Sequence, residues 1–460
     1  MKYKDIFFDI LNNNPSDYSE IRIEETDSTR LVYKGKELDN ISQNSGFGGN
    51  VRVAYKGGWG FSSFNSISNI EQNLRNNLDE AFLQARNIGD SKTYIAEVDP
   101  NVDIVNNFSG KDPKNISIKE KKQLMDHYLG IISSASIISS ADIIYADTSR
   151  KVFFGNSEGT YIEQDHVHVV SRISVQTRLG NDIQESGFSI GSLGDFELVE
   201  NLDEKILESI EKATDLLKSK TISGGEKTVV LDPILAGVFV HEAFGHLSEA
   251  DNVYENEELK KLMFLGRKFG GEHLNFTDGA LIKDNGTLLR GSYKYDDEGT
   301  PATVTPLVRE GELVGRLHSR ETASKLGERP TGNARSIGYS YPPIVRMSNT
   351  IIEPGNADLE DLFEGVKEGV YAKNWYGGMT QHEMFTFTSG ESYMIRNGKI
   401  QEPIRPVKLT GNLFATLKNI DRVGKDLAMN QGGGCGKAGQ SPLPVSNGSP
   451  HIRIQNCLIS

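Results

Sequence analysis

Two histidines five residues apart, with a glutamate beside the first, stand in His241-Glu242-Ala243-Phe244-Gly245-His246. Imidazole nitrogens are common ligands for divalent metals, and a carboxylate next to such a site can take a proton from water. A catalytic zinc wants three protein ligands and one open position, so a third donor must come from elsewhere in the chain. Glu249, Asp251, His273, His318, His382 and Cys435 are the candidates. Cys435 lies in Gln431-Gly432-Gly433-Gly434-Cys435-Gly436-Lys437, where glycines permit close backbone approach and Lys437 would favour the thiolate. The same run is not a phosphate-binding loop, because Gln431 stands where glycine is required and Ala438 where Ser or Thr is.

The histidine spacing carries a structural demand. In the familiar zinc-peptidase pattern the two histidines are four apart and share a helix face. Five apart, they stand about 140° from one another around an undistorted α-helix. Either a π-type turn swings them to one side, or the helix ends at Gly245 and His246 approaches from the following turn. Both routes predict distortion between 241 and 246. The preceding residues say what must hold this segment. Thr228–Leu231 reads as a buried strand, and Asp232-Pro233 is an N-cap followed by a first-turn proline. Ile234–Val240 is apolar nearly all round, so the helix should be deeply buried. Imidazoles and a carboxylate at the end of such a helix need partners, and a metal supplies them economically.

Elsewhere the pattern predicts an α+β chain. Helices are expected over residues 3–12, 68–88, 117–134 and 203–219. Strands are expected at Glu20–Glu24, Thr29–Tyr33, Asn50–Tyr55 and, by strict alternation, His166–Thr177. Gly58-Trp59-Gly60-Phe61 before one helix faintly echoes Ser186-Gly187-Phe188-Ser189 before another, as an internal duplication or shared turn chemistry would. Ser223-Gly224-Gly225-Glu226-Lys227 marks a boundary near residue 222, dividing an α+β part (1–222) from a β-rich part (223–460). Asn397-Gly398 between strand-like flanks predicts a hairpin. Asp296-Asp297-Glu298-Gly299 reads as an acidic turn or as a pocket for a substrate amine or cation, and Glu249 and Asp251 as surface carboxylates or as acceptors for an imidazole N–H.

Composition narrows the classes. The 460 residues exceed one ordinary core, which predicts two or three domains. A formal net charge of -13 gives no basic footprint for nucleic acid. No apolar run reaches the ~18 residues that a membrane span needs, and Met1–Phe8 lacks the apolar stretch of a signal peptide. Of the two cysteines, Cys457 reads as filler in a strand, and so sparse a set suits a reducing cytoplasm.

Together these residues resemble the TldD/PmbA family of metallopeptidases, historically called modulators of DNA gyrase. The likeness is carried by His241–His246, Tyr295-Asp296-Asp297-Glu298-Gly299-Thr300, Thr331-Gly332-Asn333-Ala334-Arg335 and Cys435-Gly436-Lys437-Ala438-Gly439-Gln440. These blocks come in the family's order across nearly the whole chain, and the retained histidine motif makes it TldD-like. The resemblance implies Zn2+ held by His241, His246 and the Cys435 thiolate, with Glu242 as general base. It also implies peptide or unfolded-protein substrates threaded into a chamber, and a two-domain subunit. That subunit would work as a homodimer or as a heterodimer with a motif-lacking relative. Two competing readings are a regulatory or binding protein with a structural metal, and a hydrolase that uses Cys435 with a histidine.

Overall fold

Residues 18–55 form two long strands where short ones were expected. The computed structural model describes residues 1–106, 110–381 and 383–460, so His382 lies outside the described residues. Strand β1 (Tyr18–Gly35) absorbs both Glu20–Glu24 and Thr29–Tyr33, and β2 (Glu37–Tyr55) contains Asn50–Tyr55. The polar link Glu25–Ser28 does not interrupt β1 because it is laddered on both sides: Glu25 lies opposite Phe47 of β2 and opposite Lys151 of β5 (Ile138–Asn156). Satisfied backbone hydrogen bonds carry a strand through residues with little β preference.

The helices fall where their periodicity puts them. Around β1 and β2 lie α1 (Lys4–Leu11), β3 (Gly58–Phe64) and α2 (Ile70–Ile88), whose Leu74, Leu78, Ala81 and Ala85 are buried. After β4 (Val102–Asn106), helix α3 (Ile118–Ser134) starts at a capping box between Ser117 and Glu120. Strands β6 (Tyr161–Leu179) and β7 (Asp182–Leu193) then lead to α4 (Asp203–Leu216), shorter than the expected 203–219. The expected alternation in β6 holds, with Val167, Val169, Ser171, Ile173, Val175 and Thr177 all buried. One sheet results, ordered β3-β2-β1-β5-β6, with β4 and β7 both on β6. β3 and β7 occupy matching third-strand places, yet their glycines serve different ends. A side chain at Gly60 would run into the Ala81 carbonyl of α2, and one at Gly187 into the β6 backbone at Ile173.

In the second half, β8 (Gly225–Leu231) pairs in parallel with Glu368–Gln381 and antiparallel with Ile452–Ile459. The path continues through Lys408–Asn412 to Met384–Arg396, which pairs back to Glu368–Gln381 and closes a ring. The Asn397-Gly398 hairpin forms as expected, both residues with positive φ (49 and 75). Helix α5 (Pro233–Val240) packs between this ring and a second sheet that contains Asn349–Ile352 and Ser446–Ser449. Leu235, Phe239 and Val240 sit in one core cluster with Phe385, Phe387 and Ile454.

The Asp296–Glu298 segment is the acidic turn that one reading expected, closed by the Gly299 N–H on the Asp296 carbonyl at 3.1 Å, but it is a buried turn. It is buried against the first half, with Arg22 reaching Asp297 at 3.0 Å and Glu24 at 2.6 Å, and Arg52 reaching Glu298 at 2.5 Å. Burial alone would raise the Asp297 carboxyl, but Arg22 and Arg150 hold it below its usual range. Its contribution to stability is therefore full at neutral pH and is lost as pH falls through that lowered value. Removing one member of a buried ion network strands the others. Arg22→Ala should cost about 3–5 kcal/mol of unfolding free energy, read from a denaturant titration. A loss under ~1 kcal/mol would mean that water already solvates the seam.

Candidate metal centre

The helix distortion demanded by the five-residue spacing is present. The Asp232 carboxylate caps α5 by accepting the Leu235 N–H at 2.9 Å, and α5 runs straight into a π-type turn over His241–Gly245. A short 3-10 turn, His246–Ser248, follows. Gly245 does not terminate the helix, since its backbone stays helical (φ -56). Its missing side chain is what counts: a Cβ there would lie 2.0 Å from Met347 Sδ. The π turn is pressed against the segment ahead of Asn349–Ile352, and only glycine fits so close an approach.

The turn brings both imidazoles to one side, and Cys435 comes to meet them. One ligand atom from each of His241, His246 and Cys435 lies within 4.8 Å of the others. The two rings stand 5.5 Å apart and nearly perpendicular. Cys435 Sγ is 3.4 Å from His246 Nε2. His241 and Cys435 are buried, and His241 Nδ1 is buried with no hydrogen-bond partner among the described residues. An orphaned imidazole nitrogen facing a thiol and a second imidazole is the donor set that a thiophilic divalent metal fits. Burial would raise the Cys435 thiol, but His241 and His246 outweigh it and bring it down to about 5, so the sulfur is a thiolate at neutral pH. Cys457 lacks such neighbours, and burial pushes its thiol up to about 12. It is core filler in Ile452–Ile459, as its alternation suggested.

The other candidate donors are engaged elsewhere. His273 Nε2 meets the Ile420 carbonyl, and His318 pairs with Glu328. Glu249, weighed as a surface carboxylate or as an acceptor for an imidazole N–H, is the second: it is fully buried and accepts from His246 Nδ1 at 3.1 Å. That bond points Nε2 at the sulfur and fixes the tautomer. Lys437 does not act on the thiolate as expected; its ammonium is committed to Glu249 (3.1 Å) and Asp251 (2.6 Å). Asn252 joins this group, donating to Glu249 and to the His246 carbonyl. Spacing did hold a hint of it, because Glu249 follows His246 by one helical turn and Lys437 shares a strand face with Cys435. Glu242 and His246 line a cavity of about 500 Å³, together with Leu247, Asn252, Thr380 and Gly436. Of the three metal donors His246 faces this cavity beside the Glu242 carboxylate, with His241 and Cys435 clustered on His246, an arrangement suited to acting on water beside a bound ion.

Comparison with known proteins agrees with this geometry. Residues 224–460 match the description "PmbA/TldA metallopeptidase C-terminal domain", with the family's domain 1 on 19–89 and its central domain on 111–220. A metalloprotease of Synechocystis is 45% identical over 446 residues, covering 96% of this chain and 95% of that protein. A zinc metalloprotease TldD homolog of Saccharolobus solfataricus is 30% identical over 444 residues, covering 95% of each. In fold, the chain is similar to TldE from Thermococcus kodakarensis at TM-score 0.76 and 15% identity, covering 100% of this chain and 98% of that one. A Thermotoga maritima protein described as a modulator of a DNA gyrase gives TM-score 0.78 at 20% identity, covering 100% and 99%. With these stretches matched in order around the assembled histidine–cysteine cluster, the chain belongs to the PmbA/TldD metallopeptidase family.

Proposed function

We propose that this chain is a zinc-dependent peptidase that hydrolyses small peptides or unfolded segments. The observation that carries the reading is the convergence of His241, His246 and Cys435 beside a cavity that Glu242 lines. Zinc bound there supplies Lewis-acid polarisation of a water and of the scissile carbonyl. Glu242 takes the proton of the attacking water and passes it to the leaving amine. Glu249 holds His246 in the ligating tautomer, while Lys437 and Asn252 fix Glu249. Residues 223–460 form the peptidase domain. The family matches for domain 1 and the central domain both fall within 1–222, whose strands share one sheet; this supports taking 1–222 as the unit for dimer and chamber contacts. The working form is a cytoplasmic homodimer or a heterodimer with a motif-lacking relative. Among the described residues no helix is long and apolar enough to cross a membrane. Elemental analysis of the purified chain, with activity lost to a chelator and restored by zinc, tests the reading; activity that survives full metal removal defeats it.

A cysteine-hydrolase reading has one observation in its favour: Cys435, His246 and Glu249 also line up as a thiolate, an imidazole and its orienting acid. The second imidazole at the sulfur fits metal binding better, since a nucleophile needs one base. Chelator resistance combined with loss to thiol alkylation would select the cysteine mechanism. Metal retention with no turnover of any unfolded peptide would instead select a binding protein with a structural metal.

Removing Glu249 should loosen the metal without touching a ligand. Carboxylates behind a ligating histidine are worth about 10–100-fold in metal affinity. Glu249→Ala should show that loss in competition with a chromophoric chelator, and an unchanged affinity would remove Glu249 from the site.

A further inference from the structure

A second cavity, about 300 Å³, lies behind the hairpin that carries Cys435, between that hairpin and β5 and β6. Arg150, His168, Arg290 and Arg335 line it, with Tyr293 and Leu443 as apolar wall. Arg150 is paired with Glu24 at 3.7 Å, whereas Arg290 and Arg335 bond only to backbone carbonyls. Arg290 is buried, gives Nη1 to the carbonyls of Gln431 (3.2 Å) and Gly433, and leaves Nε without a hydrogen bond. Arg335, also buried, spends Nη1 and Nη2 on the carbonyls of Met347 (2.7 Å) and Pro444 (2.8 Å). Among the described residues neither has a carboxylate within ion-pair reach.

The acids on the cavity wall leave Arg290 unmatched. Asp297 pairs with Arg22 at 3.0 Å and acts at longer range on Arg150 and Arg335, but it is not among the groups acting on Arg290. Burial and the Glu298 charge push the Asp296 carboxyl well above its usual range, and both of its oxygens are spent accepting the N–H groups of Glu298, Thr300 and Ala334. Burial and the Arg335 charge lower Arg290 to about 10. Burial with Arg290 nearby keeps His168 neutral, and its Nδ1 is buried with no partner. A buried guanidinium with an unpartnered Nε is costly, and an anion with two oxygens suits its planar fork. The apolar side of the cavity fits a carboxylate that carries a side chain and has no use for bare phosphate.

We propose that this cavity is a carboxylate-binding subsite that takes the free C-terminal carboxylate of a peptide substrate. The inference rests on the peptidase reading above for its source of carboxylate. Its link to the metal centre is short: Leu443 stands opposite Cys435 across the hairpin, at a cross-strand spacing of about 5 Å. Arg290 also grips the backbone of Gln431 and Gly433 just ahead of Cys435. An occupant of the cavity therefore steadies the hairpin that delivers the sulfur.

The test compares one fluorescent peptide as free acid and as C-terminal amide. Binding is read by anisotropy on Glu242→Gln protein, and hydrolysis on zinc-loaded wild type. The free acid should bind at least about tenfold more tightly, with the gain in KM rather than kcat. Arg290→Gln should abolish the difference. Equal binding of acid and amide overturns the proposal, and because this arm needs no arginine variant, a misfolded Arg290→Gln cannot obscure it. Competition by N-acetyl-leucine supports the carboxylate chemistry, whereas competition by inorganic phosphate alone overturns it. N-acetyl-leucine competing while acid and amide bind equally would assign the cavity to a free carboxylate and overturn the substrate anchor. If the acid binds better yet zinc-loaded protein cuts neither peptide, the peptidase reading fails and the subsite stands.

Discussion

Glu242→Gln should lower peptide hydrolysis by about 10²–10⁴-fold and leave the bound metal in place. Glu242 borders the cavity beside His246 and contributes none of the clustered ligand atoms. Glutamine has nearly the same shape and keeps the helix face intact, so the change removes the proton acceptor alone. Rate assays paired with elemental analysis of the same preparation read both halves of the prediction. A variant that loses rate and metal together would mean that Glu242 acts as a ligand; one that keeps its rate would remove it from the mechanism.

Cys435→Ala and His246→Ala should each abolish tight metal binding, and with it activity. Either change leaves two donors, short of the three that a catalytic site keeps. The two variants should differ in their side effects. Loss of His246 also takes one hydrogen bond from the buried Glu249 carboxylate, which keeps Lys437 and Asn252 but already lacks a partner for Oε1, and should lower stability even without metal. Cys435→Ala removes a small buried group and should leave the metal-free fold close to wild type. Adding zinc to the metal-free wild type at ~100 times its Kd should stabilise it by about 2.7 kcal/mol, and neither variant should respond. A thermal shift with added zinc in Cys435→Ala equal to wild type would break the assignment of the sulfur. Alkylation offers a parallel reading: chelation should speed modification of Cys435 and leave Cys457 inert, given their thiols at about 5 and about 12.

The ligand-bearing helix was legible because its signals are local. Asp232-Pro233 announces its start, the apolar run its burial, and the five-residue histidine spacing its π turn. Cys435 entered only as one candidate donor among several until the family blocks singled it out; nothing local says that a sulfur 189 positions from His246 will arrive there. The partners of the site were misjudged for the same reason. Glu249 looks like a solvated acid after a helix end, and only Lys437 and Asn252 arriving beside it make its burial tolerable. Asp297 and Glu298 read as an acidic turn or a pocket for a cation, and the cations that do meet them, Arg22 and Arg52, come from the other end of the chain. In β1 the error ran the other way: pairing on both edges overrode a polar stretch that should have broken the strand.

The donors are also split in time. A nascent chain that has emerged through α5 carries both imidazoles, but the sulfur follows far behind on the hairpin Gly434–Pro444, and Ile452–Ile459, which completes the ring around β8, is made later still. Until those segments leave the ribosome the proposed centre cannot assemble, so on the peptidase reading a growing or prematurely terminated polypeptide would be inert toward its neighbours. Translation order itself would then act as the safety catch on the proposed activity.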